Sequence, residues 1–187
     1  MAPLILASRS PQRRAILAQL GVDFEVQIPD VDELEAGPPH EIAIENAYRK
    51  AAATAGTEQP VLGVDTIVSI GSRIWGKPVD EADARDTLLA LGGRRHTVIS
   101  GVCVIAGDST RTAAATTAVQ FRSLDDAVID WYVSSGEWRG RAGGYAIQGR
   151  GAALVASIEG DYTNVVGLPV PTLLELAPWL LPPGRPT

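Results

Sequence analysis

An aspartate lies in the middle of an otherwise apolar stretch, VLGVDTIV (residues 61–68). Valine and isoleucine favour β-strands, whereas aspartate is depleted in them. With the two-residue period of a strand, Asp65 shares one face with Gly63 and Ser69, small residues that leave room beside its carboxylate. Because a buried unpaired carboxylate is very costly, Asp65 requires an arginine, backbone donors or a metal ion as its partner. The position fits either a structural ion pair or a functional acid.

The stretches around this strand alternate between strand-like and helix-like patterns. The predicted strands cover residues 4–7, 24–28, 96–106 and 111–121, with a hairpin that turns near Gly71-Ser72 and closing strands after residue 140. The predicted helices run from Pro11 to Gly21 with Ser10 as N-cap, from about 40 to 55, from Asp80 to 91, from Ser123 to Gly136, and from 170 to a break near Pro178. The hairpins indicate a mixed sheet, so the predicted fold class is α/β with helices flanking that sheet. No repeat or linker divides the 187 residues, and one domain over residues 1–187 is expected.

Composition excludes several classes of function. The formal net charge of −6 argues against a broad nucleic-acid surface but does not exclude a small cationic pocket. The single cysteine, Cys103, cannot form a disulfide within the chain or a cysteine zinc site, and its apolar neighbours indicate a buried structural thiol. No stretch approaches the ~20 apolar residues of a membrane span, and no signal peptide is recognisable. We therefore expect a cytoplasmic protein with neither nucleic acid nor membrane as partner.

The stretch ASRSPQRRAIL (residues 7–17) predicts a strand end, a tight turn and the first turn of a helix. Free backbone N–H groups, the Ser8 hydroxyl and the helix dipole together suit an anion. Arg13 precedes Ile16 and Leu17 at helical spacing, so its guanidinium points to the inward face, where it could bind phosphate. An ordinary N-cap with solvated arginines explains the same residues.

Clustered carboxylates mark the loop DVDELE (residues 30–35). Such a loop suits a hard cation such as magnesium, which keeps waters and bridges to substrate phosphates. A solvated acidic loop without a ligand is the alternative.

Glycines dominate the stretch AGGYAIQGRG (residues 142–151). They allow close approach of the backbone, and Gln148 offers both a donor and an acceptor, as recognition of a nucleotide base requires. Ordinary turns explain the glycines equally well.

Only two of the 16 basic residues are lysines, Lys50 and Lys77. A two-residue turn at Gly71-Ser72 would place Lys77 opposite Thr66, on the face away from Asp65. A three-residue turn or a bulge would return Lys77 to the Asp65 face. The sequence does not decide between these geometries.

Taken in order, these stretches resemble the Maf family, the septum-formation-like nucleotide pyrophosphatases. The matching stretches are LILASRSPQRRAIL, DVDE, ENAYRKA, GVDTIV with GKP, LGGRRHTVISGV, AGGYAIQG and GDYTNVVGLP, and they run from about Leu4 to Leu176. The resemblance implies an elongated, curved mixed sheet, two lobes around a deep cleft, and commonly a homodimer. It also implies hydrolysis of nucleoside triphosphates to the monophosphate and pyrophosphate with Mg²⁺ or Mn²⁺, as house-cleaning of the nucleotide pool, and a link to arrest of cell division.

The resemblance also assigns roles to residues. Asp65 corresponds to the proton acceptor and Glu33 to an acidic active-site position. Both are candidate metal ligands. Because one carboxylate is not expected to serve as both ligand and base, Glu33 could take either role. The positions that handle phosphate in the family are here Ser8, Arg13, Lys50 and Lys77.

Three further positions set substrate specificity in the family, and they are Gln12, Thr66 and Gln148 in this chain. The dTTP/UTP branch typically has arginine, threonine and glutamine there, and the 7-methyl-GTP branch has tryptophan, glutamine and glutamate. Thr66 and Gln148 favour the pyrimidine branch, whereas Gln12 fits neither. A non-catalytic nucleotide-sensing regulator of septation is the alternative function, because it would use the same pocket for binding alone.

Overall fold

The computed structural model describes residues 3–56 and 58–181, which form one mixed α/β arrangement. Its strands are β1 (Leu4–Ala7), β2 (Phe24–Gln27), β3 (Val61–Ile70), β4 (Arg73–Trp75), β5 (Arg95–Ala106), β6 (Ser109–Phe121) and β7 (Val155–Glu159). Its α-helices are α1 (Pro11–Gln19), α2 (Pro39–Ala52), α3 (Glu81–Leu91), α4 (Asp126–Ser134), α5 (Tyr162–Val166) and α6 (Val170–Leu176). Three 3₁₀ turns complete the described elements, at Ala142–Gly144, Arg150–Leu154 and Pro178–Leu180.

The strand order leaves an opening along one edge of β3. The described strands form a single sheet in the order β2-β1-β3-β5-β6-β7, with β4 also paired to β3. Strand β1 runs parallel to β3 and pairs with it only as far as Gly63, and the antiparallel β4 begins to pair at Val68. Both partners lie on the edge opposite β5, so residues 64–67 have no described strand partner there. Asp65 and Thr66 lie in this opening.

Apolar packing is interrupted at the same two residues. On one face of β3, Val64 belongs to a buried cluster with Leu6 and Leu17, and Val68 belongs to a second cluster around Leu88 and Phe121. Thr66 lies between these clusters on that face, because side chains alternate along a strand. On the other face, Asp65 lies between a cluster that contains Val61 and one that contains Ile67. The polar site therefore separates the buried clusters on both faces of the sheet.

Two glycines let helix α2 lie directly on the Asp65 face. A Cβ atom on Gly63 would lie 2.1 Å from the carbonyl oxygen of Ala47, and one on Gly101 would lie 2.0 Å from that of Ala43. Gly101 pairs with Asp65 across the sheet. No larger residue fits at either position without moving the helix backbone. The glycines thus set the distance between Asp65 and the side chains of α2.

The predicted elements are confirmed with a few changes of boundary. Ser10 caps α1 by accepting a hydrogen bond from the backbone N–H of Arg13, as the sequence predicts. The prediction of Ser123 as the start of α4 is wrong, because Asp125 caps the helix by accepting from the N–H of Val128. Helix α2 ends at Ala52, earlier than predicted.

The C-terminal part of the chain departs further from the sequence prediction. The glycine-rich residues 140–167 form two short 3₁₀ turns, strand β7 and helix α5, where the sequence predicts closing strands. Helix α6 stops at Leu176, and a 3₁₀ turn resumes at Pro178, so the predicted break is confirmed. Cys103 is buried, as predicted.

The mixed sheet flanked by helices is confirmed, whereas its curvature and the division into two lobes stay predictions. Among the described residues, no helix has both the length and the apolar character that crossing a membrane requires.

Candidate active site

Arg13 is buried at the start of α1 and binds three separate elements. Its Nη1 donates to Ser8 Oγ at 2.9 Å, its Nη2 to Thr66 Oγ1 at 3.1 Å, and its Nε to the carbonyl oxygen of Gly167 at 2.8 Å. The guanidinium is therefore fixed by the end of β1, the opening of β3 and the turn after α5. Burial lowers the pKa of Arg13, whereas the negative charges of Asp65 and Glu33 raise it. The sequence prediction of an inward-facing arginine is confirmed.

Asp65 is paired on the other face of β3. Lys50 Nζ donates to Asp65 Oδ1 at 2.6 Å, and Asn46 Nδ2 donates to Asp65 Oδ2 at 3.1 Å. Both partners come from α2, one turn apart, so they lie on the same helix face. The sequence predicts an arginine, backbone donors or a metal ion as the partner of Asp65. The prediction of an arginine or backbone donors is wrong, because the protein partners in the structure are a lysine and an asparagine. A buried charge pair of this kind is satisfied only because both carboxylate oxygens have donors.

Glu33 joins the same network from the acidic loop. Its Oε1 lies 2.7 Å from Lys50 Nζ and its Oε2 lies 3.6 Å from Lys77 Nζ. Burial alone would raise the pKa of Glu33, but the hydrogen bond from Lys50 and the charges of Lys50, Lys77 and Arg13 lower it. Glu33 is therefore held as a carboxylate at neutral pH, and the partial exposure of its side chain to water favours the same form.

Lys77 reaches the site by a route that neither sequence alternative described. The hairpin has the clean two-residue turn, with Ile70 opposite Arg73, which alone would leave Lys77 on the wrong face. The strand, however, ends at Trp75, so Lys77 lies beyond the sheet and is not bound to its alternation. Its ammonium is free to approach Glu33 from the loop.

A single cavity of about 540 Å³ brings the predicted residues together. The predicted residues that line it are Ser8, Gln12, Arg13, Glu33, Lys50, Asp65, Thr66, Lys77 and Gln148. Asp65 and Arg13 thus share a cavity although they project to opposite faces of β3, because the opening at residues 64–67 connects the two faces. The cavity contains both a carboxylate and several cations, which suits a polyanionic substrate.

The lining of the cavity is polar near the N-terminus of α1 and mixed elsewhere. At that terminus Pro11 has no N–H, and the N–H groups of Ser10 and Arg13 donate to Ser8 Oγ and Ser10 Oγ. The remaining lining combines the apolar side chains of Val68, Val98, Tyr145, Val165 and Val166 with the cations Arg139 and Arg141. Such a lining can contact both the phosphates and the base of a nucleotide.

The three positions predicted to set specificity differ in how many of their polar atoms already have a partner in the protein. Gln148 is exposed at the cavity and Gln12 is partly exposed, with its Oε1 accepting from Ser10 Oγ at 3.1 Å. The hydroxyl of Thr66 already contacts Arg13 and lies 2.9 Å from Ser100 Oγ. Thr66 is therefore placed to orient Arg13, whereas Gln12 and Gln148 are placed to contact a ligand directly.

A second cavity of about 410 Å³ adjoins the first around Asp65. It lies beside α2 and the hairpin, and its lining includes Asn46, Ile67, Ile74 and Trp75. Glu33 and Asp65 line both cavities. The two carboxylates thus stand at the junction of the cavities.

Glu33 and Asp65 are the predicted ligands of a divalent cation. Among residues 3–56 and 58–181, no group of three or more histidine, cysteine, aspartate or glutamate side chains could hold a metal by itself. Glu33 and Asp65 remain as two carboxylates, and the Lys50 ammonium lies between them. Two carboxylates suffice for magnesium only when substrate phosphates and waters complete its octahedral shell. The residues therefore fit a cation that arrives with a triphosphate.

Two residues of the site, Asn46 and Arg141, are not among those predicted from the sequence. Asn46 is buried between Asp65 and the acidic loop, and only its position four residues before Lys50 could have indicated this. Arg141 lines the first cavity, and burial lowers its pKa. Its Nε atom is buried without a hydrogen-bond partner among the described residues.

A comparison with protein families is consistent with this geometry. Residues 3–178 match the family model described as Maf-like protein, which spans every residue of the site. The chain belongs to the Maf family. In this Maf protein, the matched span covers all described strands and helices up to α6.

Curated relatives extend the similarity over nearly the whole chain. The dTTP/UTP pyrophosphatase of Pyrococcus furiosus is 45% identical over 94% of this chain and 94% of the relative. That of Anaeromyxobacter dehalogenans strain 2CP-1 is 46% identical over the full length of both chains, and that of Bacillus cereus strain AH820 is 44% identical over 94% of both. This Maf protein is thus similar to pyrophosphatases from both archaea and bacteria.

Proposed function

We propose that this chain hydrolyses nucleoside triphosphates to the monophosphate and pyrophosphate, with dTTP and UTP as its preferred substrates. The observation that supports this most is the shared cavity, in which the buried cation Arg13 and the buried carboxylate Asp65 face one space. Relatives named dTTP/UTP pyrophosphatase, at 44 to 46% identity over almost their whole length, support the substrate class. Removal of unwanted nucleotides from the pool is the role that such an activity serves.

The cations that line the cavity beside α1 and α2 would hold the triphosphate. Arg13, Lys50 and Lys77, with Ser8 and the N-terminus of α1, offer donors to oxygens whose charge grows as the bond to the leaving group breaks. Arg13 is already fixed by three hydrogen bonds, so little reorganisation is needed when the substrate binds.

Asp65 would act as the proton acceptor. A water attacks the α-phosphorus, Asp65 takes its proton, a new bond from oxygen to the α-phosphorus forms, and the bond to the bridging oxygen of the pyrophosphate breaks. Substrate phosphates compete for Lys50, which frees Oδ1 of Asp65 from its 2.6 Å contact. Glu33 keeps the Lys50 ammonium nearby through the 2.7 Å contact.

Mg²⁺ or Mn²⁺ would be held by Glu33 and Asp65 together with the phosphates. When bound, the cation neutralises charge on the triphosphate and orients it. A cytoplasmic location, a homodimer and a link to septation stay predictions.

One assay tests the function against its alternative. Purified protein is incubated with dTTP, UTP, CTP, ATP, GTP and base-methylated nucleotides, each with Mg²⁺ or Mn²⁺, and pyrophosphate is measured. We expect fastest release from dTTP and UTP, and no release without the cation. Saturable binding of nucleotides without pyrophosphate release would instead favour the non-catalytic sensor, whose Asp65 would stay paired with Lys50.

A further inference from the structure

Asn46 binds Asp65 from the same helix face as Lys50. Its side chain is 2% exposed, and its Nδ2 donates to Asp65 Oδ2 at 3.1 Å, while Lys50 binds Oδ1. The two oxygens of the carboxylate are therefore held by two different side chains. With only one of them, the carboxylate could rotate about its terminal bond, because that torsion is broad.

The same amide also binds the acidic loop. Asn46 Oδ1 accepts from the backbone N–H of Leu34 at 2.7 Å, and its Nδ2 donates to the carbonyl oxygen of Leu34 at 3.0 Å. Residues 28–38 contain no helix or strand, so this loop has no ladder of backbone hydrogen bonds of its own. Leu34 directly follows Glu33, and fixing its backbone fixes the place from which Glu33 reaches Lys50. Asn46 thus connects the two carboxylates of the site.

We propose that Asn46 is a positioning residue for the reaction, which aligns the Asp65 carboxylate and anchors the loop that carries Glu33. This inference rests on the proposed pyrophosphatase function. A buried asparagine that only satisfies loop backbone groups would need its bonds to Leu34 and no bond to Asp65. The third hydrogen bond, to the proposed proton acceptor, distinguishes the two roles.

Two variants separate these contacts. Asn46→Leu keeps the approximate volume and removes all three hydrogen bonds. Asn46→Asp keeps the shape and the acceptor for the Leu34 N–H. As a carboxylate it donates to neither Asp65 nor the Leu34 carbonyl oxygen, and it adds a negative charge beside Asp65. Arg49→Ala is the matched control on the same helix, because Arg49 is partly exposed and, among the described residues, its side chain pairs with Glu45 at the surface.

The measurements are kcat and KM for UTP or dTTP, the melting temperature, and hydrogen exchange of the Leu34 amide. We expect kcat to fall roughly ten- to a hundredfold in both Asn46 variants, because a misaligned base loses only part of the about 10²–10⁴-fold that a positioned base contributes. KM should stay within about threefold, because Ser8 and Arg13 keep their contacts. The Leu34 amide should exchange faster in Asn46→Leu and remain protected in Asn46→Asp.

The outcomes distinguish this inference from the proposed function. Unchanged kcat in Asn46→Leu and Asn46→Asp, with an active wild type, would overturn the role of Asn46 and leave the pyrophosphatase in place. A rise of KM with kcat retained would also overturn it, since the residue would then act on binding. A wild type that releases no pyrophosphate from any nucleotide would overturn the proposed function itself. Arg49→Ala should match wild type in every measurement.

Discussion

Lys50 and Asp65 form a buried ion pair, with 2.6 Å between Nζ and Oδ1 and each side chain only 8% exposed. Lys50 also lies 2.7 Å from Oε1 of Glu33, so one ammonium serves two carboxylates. Removing one partner of a buried pair leaves an uncompensated charge, which is more costly than losing a pair at the surface. Here the second carboxylate limits that cost when Asp65 is changed.

Asp65→Asn is expected to abolish pyrophosphate release while the fold persists. The amide has the same size and cannot accept the proton, so kcat should fall by about 10²-fold or more. Glu33 continues to pair with Lys50, which keeps α2 in place. Pyrophosphate release and the thermal melting curve check the two halves of this prediction. Retained turnover would reassign the base, with Glu33 as the next candidate.

Arg13→Lys is expected to weaken nucleotide binding as well as rate. Lysine keeps the charge but cannot bind Ser8, Thr66 and Gly167 together as the guanidinium does. We expect KM to rise roughly tenfold and kcat to fall as well, since a phosphate contact contributes in both states. Arg14→Lys is the control, because Arg14 is exposed on the next position of the helix. A KM equal to that of the wild type would contradict a phosphate contact of Arg13.

Gln12→Arg is expected to favour dTTP and UTP over the other nucleotides. Gln12 lines the cavity next to Ser10, where an arginine would add a charged donor. A hydrogen bond to a charged group contributes about 1.5–3 kcal/mol, so KM for the pyrimidine triphosphates should fall roughly tenfold. The nucleotide panel measures this change. An equal change for purine triphosphates would show a general effect of charge in place of base selection.

Gly101→Ala is expected to destabilise the protein and to reduce its activity. Its Cβ atom would lie 2.0 Å from the carbonyl oxygen of Ala43, so α2 must move away from the sheet. Overpacking of this kind costs about 1–3 kcal/mol or more in the free energy of unfolding. Urea denaturation measures it, with Gly76→Ala as control, because a Cβ on Gly76 would meet nothing within 4 Å. Equal stability of the two variants would contradict the close packing of α2.

His96 is expected to make the protein sensitive to acid. Burial lowers the pKa of His96 from 6.5 to about 4, although the backbone of Arg94 favours the protonated form. The folded state therefore binds fewer protons than the unfolded state, and the stability from neutral His96 is complete above pH 6.5 and lost as pH falls towards 4. The loss amounts to roughly 3 kcal/mol.

Chemical denaturation at several pH values measures this loss. His96→Gln should show a shallower decrease of the free energy of unfolding between pH 6.5 and 4 than the wild type. An identical slope in both proteins would assign the acid sensitivity to other groups.

Local patterns in the sequence predict most helices and strands, because each depends on neighbours along the chain. The sequence predicts Ser10 as the cap of α1, since a side chain need only reach a backbone N–H three residues ahead. The prediction of Ser123 as the start of α4 is wrong because Asp125, two residues later, accepts the capping hydrogen bond. The sequence does not predict helix α5, because five residues are too few to show a helical period.

Patterns along the chain suffice to predict that a carboxylate is buried in β3, that Arg13 faces inwards, and which family the chain resembles. Which side chains meet at Asp65 depends on the packing of separate elements against each other. The early end of β1 opens one edge of β3, and the end of β4 at Trp75 releases Lys77 from the alternation of the sheet. The first feature depends on where two strands from distant parts of the chain stop pairing, and the second on where a local hairpin stops pairing; the pattern of residues along the chain does not fix either end point.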